Sequence, residues 1–149
     1  MISIDPKEIP VPKLHRYLLE SIGPRPIAFA STIDKKGNKN LAPFSFFNVF
    51  SANPPVLIFS PARSGRTNEN KDTYLNIKEV PEVVINVVTH AMVNQMSLAS
   101  SPYDKHIDEF VKAGFTPVES VTVQPFRVSE SPVQFECKVT EVKELGSEG

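Results

Sequence analysis

The chain has 149 residues, of which 40% are hydrophobic and 22% charged, with a formal net charge of −1 and a pI of about 6.3. That size and make-up suit one globular domain over residues 1–149. The near-neutral balance excludes the basic surface that nucleic-acid binding needs, and no apolar run approaches the roughly 20 residues that cross a bilayer, so neither nucleic acid nor membrane is an expected partner. The start, Met1-Ile2-Ser3-Ile4-Asp5-Pro6, lacks the basic-then-apolar order of a secretory leader, and the single Cys137 excludes an internal disulfide framework. A cytoplasmic location is expected. Fourteen prolines and no tryptophan lean the composition toward a β-rich fold.

In chain order, a loop leads to a short helical turn around Lys13–Glu20. Pro24 and Pro26 enforce extended backbone. Residues 27–33 read as an apolar strand, Asp34-Lys35-Lys36-Gly37-Asn38 as a hairpin turn, and Lys39 to Phe50 as one long extended run rich in Phe. Residues 51–55 read as a loop, Val56 to Ser60 as a buried strand, and Pro61 to Asn70 as a polar loop. Asp72 or Thr73 caps a predicted helix through Ile77. Val83 to Val88 is a buried strand, Ala91 to Ser100 a helix, and Ile107, Phe110 and Val111 have helical spacing, with Gly114 as the stop. Val121 to Val123, Val128 and Pro132 to Glu144 are predicted strands; in the last, Val133, Phe135, Cys137 and Val139 alternate with other residues. Strands separated by turns, with a few short helices, predict a mainly β fold of barrel type.

Two stretches carry candidate chemistry. Asn40 to Asn48 places small residues, Pro43 and polar groups among aromatics, which suits either a wall for a flat cofactor ring or a core strand bulged at Pro43. Ser60 to Asn68 offers two guanidiniums, Arg63 and Arg66, and three hydroxyls, followed by Lys71-Asp72-Thr73 at a helix start. These groups suit a phosphate, or else a solvated loop before a capped helix. No Walker-type or dinucleotide glycine fingerprint occurs. His15, His90 and His106 are far apart and no Cys-x-x-Cys occurs, so no metal site is predicted; only His90 could face a pocket. Cys137 is predicted as a small core residue, and Asp104, Asp108 and Glu109 as an acidic helix start stabilised by the helix dipole.

Residues 22–34, then Asn40 to Asn48, Asn53-Pro54-Pro55-Val56, Lys71-Asp72-Thr73 and finally Glu130 to Cys137 follow the order and spacing of the flavin reductase-like family, which the chain resembles over most of its length. This family includes flavoredoxins and the small reductase components of two-component flavin monooxygenases. The resemblance implies an FMN-binding split barrel, a homodimer, and FMN near the dimer interface. By position it implies phosphate and ribityl contacts from Ser31, Thr32, Ser45, Ser60, Arg63, Lys71, Asp72 and Thr73. It sets the isoalloxazine edge along Ala42, Pro43, Phe44 and Phe46, with Asn48 nearby. Family members run on past a glycine-rich turn, whereas this sequence stops at Gly149, so C-terminal strands are expected to be missing. The implied activity is NAD(P)H-dependent flavin reduction, with hydride chemistry carried by the cofactors and no protein triad, and with a monooxygenase or other flavin or electron acceptor downstream. A non-catalytic, flavoredoxin-like FMN carrier and an interaction domain without cofactor are the alternatives.

Overall fold

The structure, a computed structural model, describes residues 3–64, 67–104 and 107–145. The elements are α1 (Val11–Ser21), β1 (Ala28–Ile33), β2 (Lys39–Phe44), β3 (Phe47–Ala52), β4 (Pro55–Phe59), α2 (Asp72–Glu79), β5 (Glu82–Asn86), α3 (Val93–Ala99), α4 (Glu109–Ala113), β6 (Pro117–Val118), β7 (Arg127–Val128) and β8 (Gln134–Lys138). The fold is mainly β with a few short helices. The described strands form a four-stranded sheet in the order β2-β1-β5-β8 and two hairpins, β3-β4 and β6-β7. All pairings are antiparallel.

The four-stranded sheet is covered on both faces, and strand alternation decides which residue goes where. Phe29 of β1 and Leu41 of β2 pack with Met92, Ala99, Phe110, Ala113, Phe115 and Val128, beneath α3, α4 and β7. Ala28, Ala30, Phe44, Val83 and Ile85 point the other way and meet Leu57 and Phe59 of the β3-β4 hairpin. α2 lies on this second side, where Thr73, Asn76 and Ile77 are buried. Asn86 joins strands across the first face: its Nδ2 donates to Phe29 O at 2.9 Å, and its Oδ1 accepts from Val128 N at 2.9 Å. α1 buries none of its residues. It is held at its C-terminal end by Arg25, whose Nη1 donates to the carbonyls of Leu19 and Ile22.

Several elements depart from the sequence reading. The long run from Lys39 to Phe50 breaks at Ser45 and Phe46 into β2 and β3, which belong to different sheets. The predicted loop at 51–55 is a tight hairpin turn, with Asn53 and Pro54 alone between β3 and β4. Val121 to Val123 forms no strand. Its amides are satisfied by a carboxylate instead, since Val121 N and Thr122 N donate to the two oxygens of Glu136 at 2.9 and 2.6 Å. The run from Pro132 to Glu144 is a strand only over Gln134–Lys138. Gly114 ends α4 as predicted, in the left-handed region at φ 71°. Half-buried Cys137 packs on the second core, and burial pushes its thiol up from the ordinary value. His90 is exposed, and the predicted placement of His106 lies outside the described residues.

Candidate functional site

β1 separates two of the predicted ligand hydroxyls. Ser31 and Thr32 are consecutive, so their side chains lie on opposite faces of the sheet. Ser31 pairs with Leu41 on the first face, is fully buried, and its Oγ has no hydrogen-bond partner among the described residues. Thr32 is paired with Asn40 on the second face. Its Oγ1 accepts from Asn40 Nδ2 at 3.3 Å and from Asn76 Nδ2 at 3.2 Å. Asn40 Nδ2 also donates to Thr73 Oγ1 at 2.9 Å. Thr32 and Thr73 are each 1% exposed, so these hydroxyls tie α2 to the sheet. This function was not legible in the sequence, because it depends on α2 folding back over the β1-β2 hairpin.

β2 is an edge strand, and its free edge is managed residue by residue. Pro43 has no N–H to leave unpaired. Leu41 N is taken by Glu109 Oε2 at 3.2 Å. The neighbouring Asp108 caps α4 by accepting from Phe110 N at 2.9 Å and pairs with Lys39 Nζ at 3.1 Å. α4 therefore grips β2 at Lys39 and Leu41, just before Ala42, Pro43 and Phe44. Burial is the main force pushing the Glu109 carboxyl up to about 7, with the negative charges of Asp72 and Asp108 adding to it. The helix dipole, invoked from sequence, accounts for the Asp108 cap and leaves this desolvated carboxyl unexplained.

Phe44 joins the predicted ring wall to the predicted phosphate end. It is buried, and Lys71 Nζ stands 5.5 Å from its ring centroid. Lys71 is exposed at the N-cap of α2, ahead of Asp72 and Thr73. Arg63 is half-buried; the Tyr74 hydroxyl in the first turn of α2 donates to Glu144 Oε1 at 2.6 Å, which holds its pKa above the ordinary value, and the charge of Arg63 opposes that shift as its weakest contribution. Gly65 and Arg66 lie outside the described residues. Ser45 and Phe46 occupy the crossing from β2 to β3, and Ser60 N closes that crossing by donating to Phe46 O at 2.9 Å. Phe46, Asn48 and Ser60 line an open, largely apolar groove of about 260 Å³ with Phe47, Phe50 and Ile58. Ala42 and Phe44 face the second core side and Pro43 the first. The structure thus brings together Phe44, Ser45, Phe46, Asn48 and Ser60 around the crossing, and Arg63, Lys71 and Asp72 around the first turn of α2. Ser31 stands apart from both groups.

Comparisons with known proteins bear on the family and the fold. The sequence profile described as flavin reductase like domain matches residues 21–148. An uncharacterised protein of Aquifex aeolicus is 40% identical over 133 residues, covering 89% of this chain and 67% of its own length. The crystal structure of nitrilotriacetate monooxygenase component B from Bacillus cereus superposes with a TM-score of 0.92 at 33% identity, covering 98% of this chain and 71% of that one. A protein with a split barrel domain from Shewanella frigidimarina superposes with a TM-score of 0.81 at 23% identity, covering 97% of this chain and 72% of that one. The chain therefore spans roughly two thirds to three quarters of these proteins.

Proposed function

The chain belongs to the flavin reductase-like domain family, and from that premise we propose that it binds FMN and serves as the NAD(P)H-dependent reductase of a two-component flavin monooxygenase. The observation that carries the reading is the 5.5 Å approach of Lys71 Nζ to the Phe44 ring. It sets a cation at a helix N-terminus beside the aromatic end of β2. A phosphate at α2 with an adjoining flat ring is the ligand shape this arrangement suits. Arg63, Lys71 and Asp72 are proposed at the phosphate end, with the amides of the first turn of α2. Ala42, Pro43, Phe44, Ser45, Phe46, Asn48 and Ser60 are proposed along the ring and ribityl chain. Thr32 and Thr73 hold the frame beneath. Bound flavin supplies the hydride-accepting ring; the residues of the chain hold, orient and shield it.

The four-stranded sheet and the β3-β4 hairpin are read as parts of a split barrel. The same reading makes the exposed apolar outer side of that hairpin a homodimer surface: Phe50 and Ile58 are 63% and 50% exposed. The test is the visible spectrum of the protein with FMN, followed by stopped-flow absorbance after addition of NADH or NADPH. Bound flavin bleached by either donor supports the reductase. Bound flavin left oxidised by both supports the non-catalytic carrier, and failure to bind FMN removes both readings.

A further inference from the structure

A cleft between β2, α2 and the start of α4 is lined by Asn40, Asp72 and Glu109. The charged groups around Glu109 come from every element that closes this cleft. Asp34 and Lys39 flank the β1-β2 turn, Asp72 heads α2, Asp104 precedes α4, and Asp108 caps it. Lys39, the one cation among the described residues that line the cleft, is engaged with Asp108 at 3.1 Å. Glu109 thus holds the edge amide of Leu41, and the described charged groups around it are mostly carboxylates.

We propose that Glu109 is a positioning residue of the flavin seat that couples occupancy of its phosphate end to the uptake of a proton. The proposal rests on the FMN reading above. A phosphate at the first turn of α2 adds negative potential next to Asp72, whose charge already acts on Glu109. The carboxylate answers by taking one proton from solvent. The neutral carboxyl still accepts from Leu41 N through its unprotonated oxygen, so β2 keeps its edge contact while the like-charge repulsion is relieved. Burial already brings the group to about 7, so near neutrality it is poised to respond.

The test is calorimetric titration of FMN into the protein and its Glu109→Gln variant at pH 7, in buffers of different ionisation enthalpy. The expected result is net uptake of about 0.3–0.4 of a proton more in the original protein than in the variant. The phosphate of FMN itself contributes equally to both and cancels. Riboflavin, which lacks the phosphate, is expected to show no such difference. From pH 6 to 8 the FMN Kd of the original protein should weaken about three- to fivefold relative to the variant. Equal uptake in the two proteins overturns the coupling while leaving the flavin reading intact; absence of FMN binding overturns both. Should Glu109→Gln not fold, carbon NMR of the Glu109 carboxyl in the original protein decides. FMN must move its titration midpoint to higher pH, and an unmoved midpoint overturns the proposal.

Discussion

Asn40 Nδ2 donates to Thr73 Oγ1 at 2.9 Å, linking the edge strand β2 to the first turn of α2 inside the protein. Asn40 is 7% exposed and Thr73 1%, and the same amide reaches Thr32 Oγ1. Removing it leaves two hydroxyls short of a donor. Asn40→Ala is expected to destabilise the fold by about 1–3 kcal/mol in urea unfolding. In a double-mutant cycle with Thr73→Val the two losses should fall short of additivity by about 0.5 kcal/mol or more. Strictly additive losses would show that the pair does not act as a unit.

The phosphate end has a sharper signature. Arg63 and Lys71 stand near the first turn of α2, and both are proposed to act on the ligand through charge. An Arg63→Ala, Lys71→Ala double change should weaken FMN by about tenfold to a hundredfold, in line with the loss of one or two charge-assisted contacts. Riboflavin affinity, read by flavin fluorescence quenching, should change little. Equal losses for both ligands would move the phosphate elsewhere.

Much of this frame was legible in the sequence because it rests on local rules. The β1-β2 hairpin follows from apolar runs around Asp34 to Asn38, where Asp34 Oδ1 accepts from Lys36 N and Asn38 N at 2.8 and 2.9 Å. Gly114 ends α4 because its φ of 71° suits glycine. What remained illegible is long-range. Nothing local says that Lys39 to Phe50 serves two sheets, or that Ser31 and Thr32 answer to different cores. The Glu109 contact with Leu41 spans 68 residues and appears in no motif. Ser31 entered the ligand set through family position, and strand alternation removes it from the neighbourhood of Lys71.

The same carboxyl predicts how stability varies with pH. Glu109 titrates at about 7 in the folded chain against an ordinary 4.5. Between those values the folded state holds more protons than the unfolded state, so stability falls as pH rises. The contribution is fully present below about 4.5 and lost as pH passes through about 7. Because Glu109 is only part-buried, solvent screening limits the effect to about 1 kcal/mol. Urea midpoints should therefore decline from pH 5.5 to 8.5 more steeply in the original protein than in Glu109→Gln, whose amide mimics the neutral acid. Parallel profiles would show that Glu109 is not desolvated. Asp34 and Glu136, held below their ordinary values by hydrogen bonds from Asn38 and Thr122, lose their contributions only as pH falls further.

The outer side of β3-β4 gives the last prediction. Phe50 and Ile58 are at least half exposed, and a shift in pairing register between Val49 and Ser51 marks a bulge beside Phe50. Bulges re-aim side chains and locally interrupt pairing. Here the irregularity sits where the hairpin presents a large aromatic to solvent, close to the groove lined by Phe46, Asn48 and Ser60. If two copies meet on this face, each covers the apolar wall of the other's groove, and flavin affinity becomes dependent on protein concentration. Phe50→Glu places a charge in the centre of that contact while changing nothing in either core, because Phe50 is 63% exposed. The expected outcome is a monomer by sedimentation equilibrium, with unchanged urea stability in the dilute limit and weaker FMN binding. A variant that stays dimeric would assign the interface to another face. A wild-type chain that is monomeric at high concentration would leave the apolar hairpin for a different partner, with the monooxygenase as the first to test by direct binding.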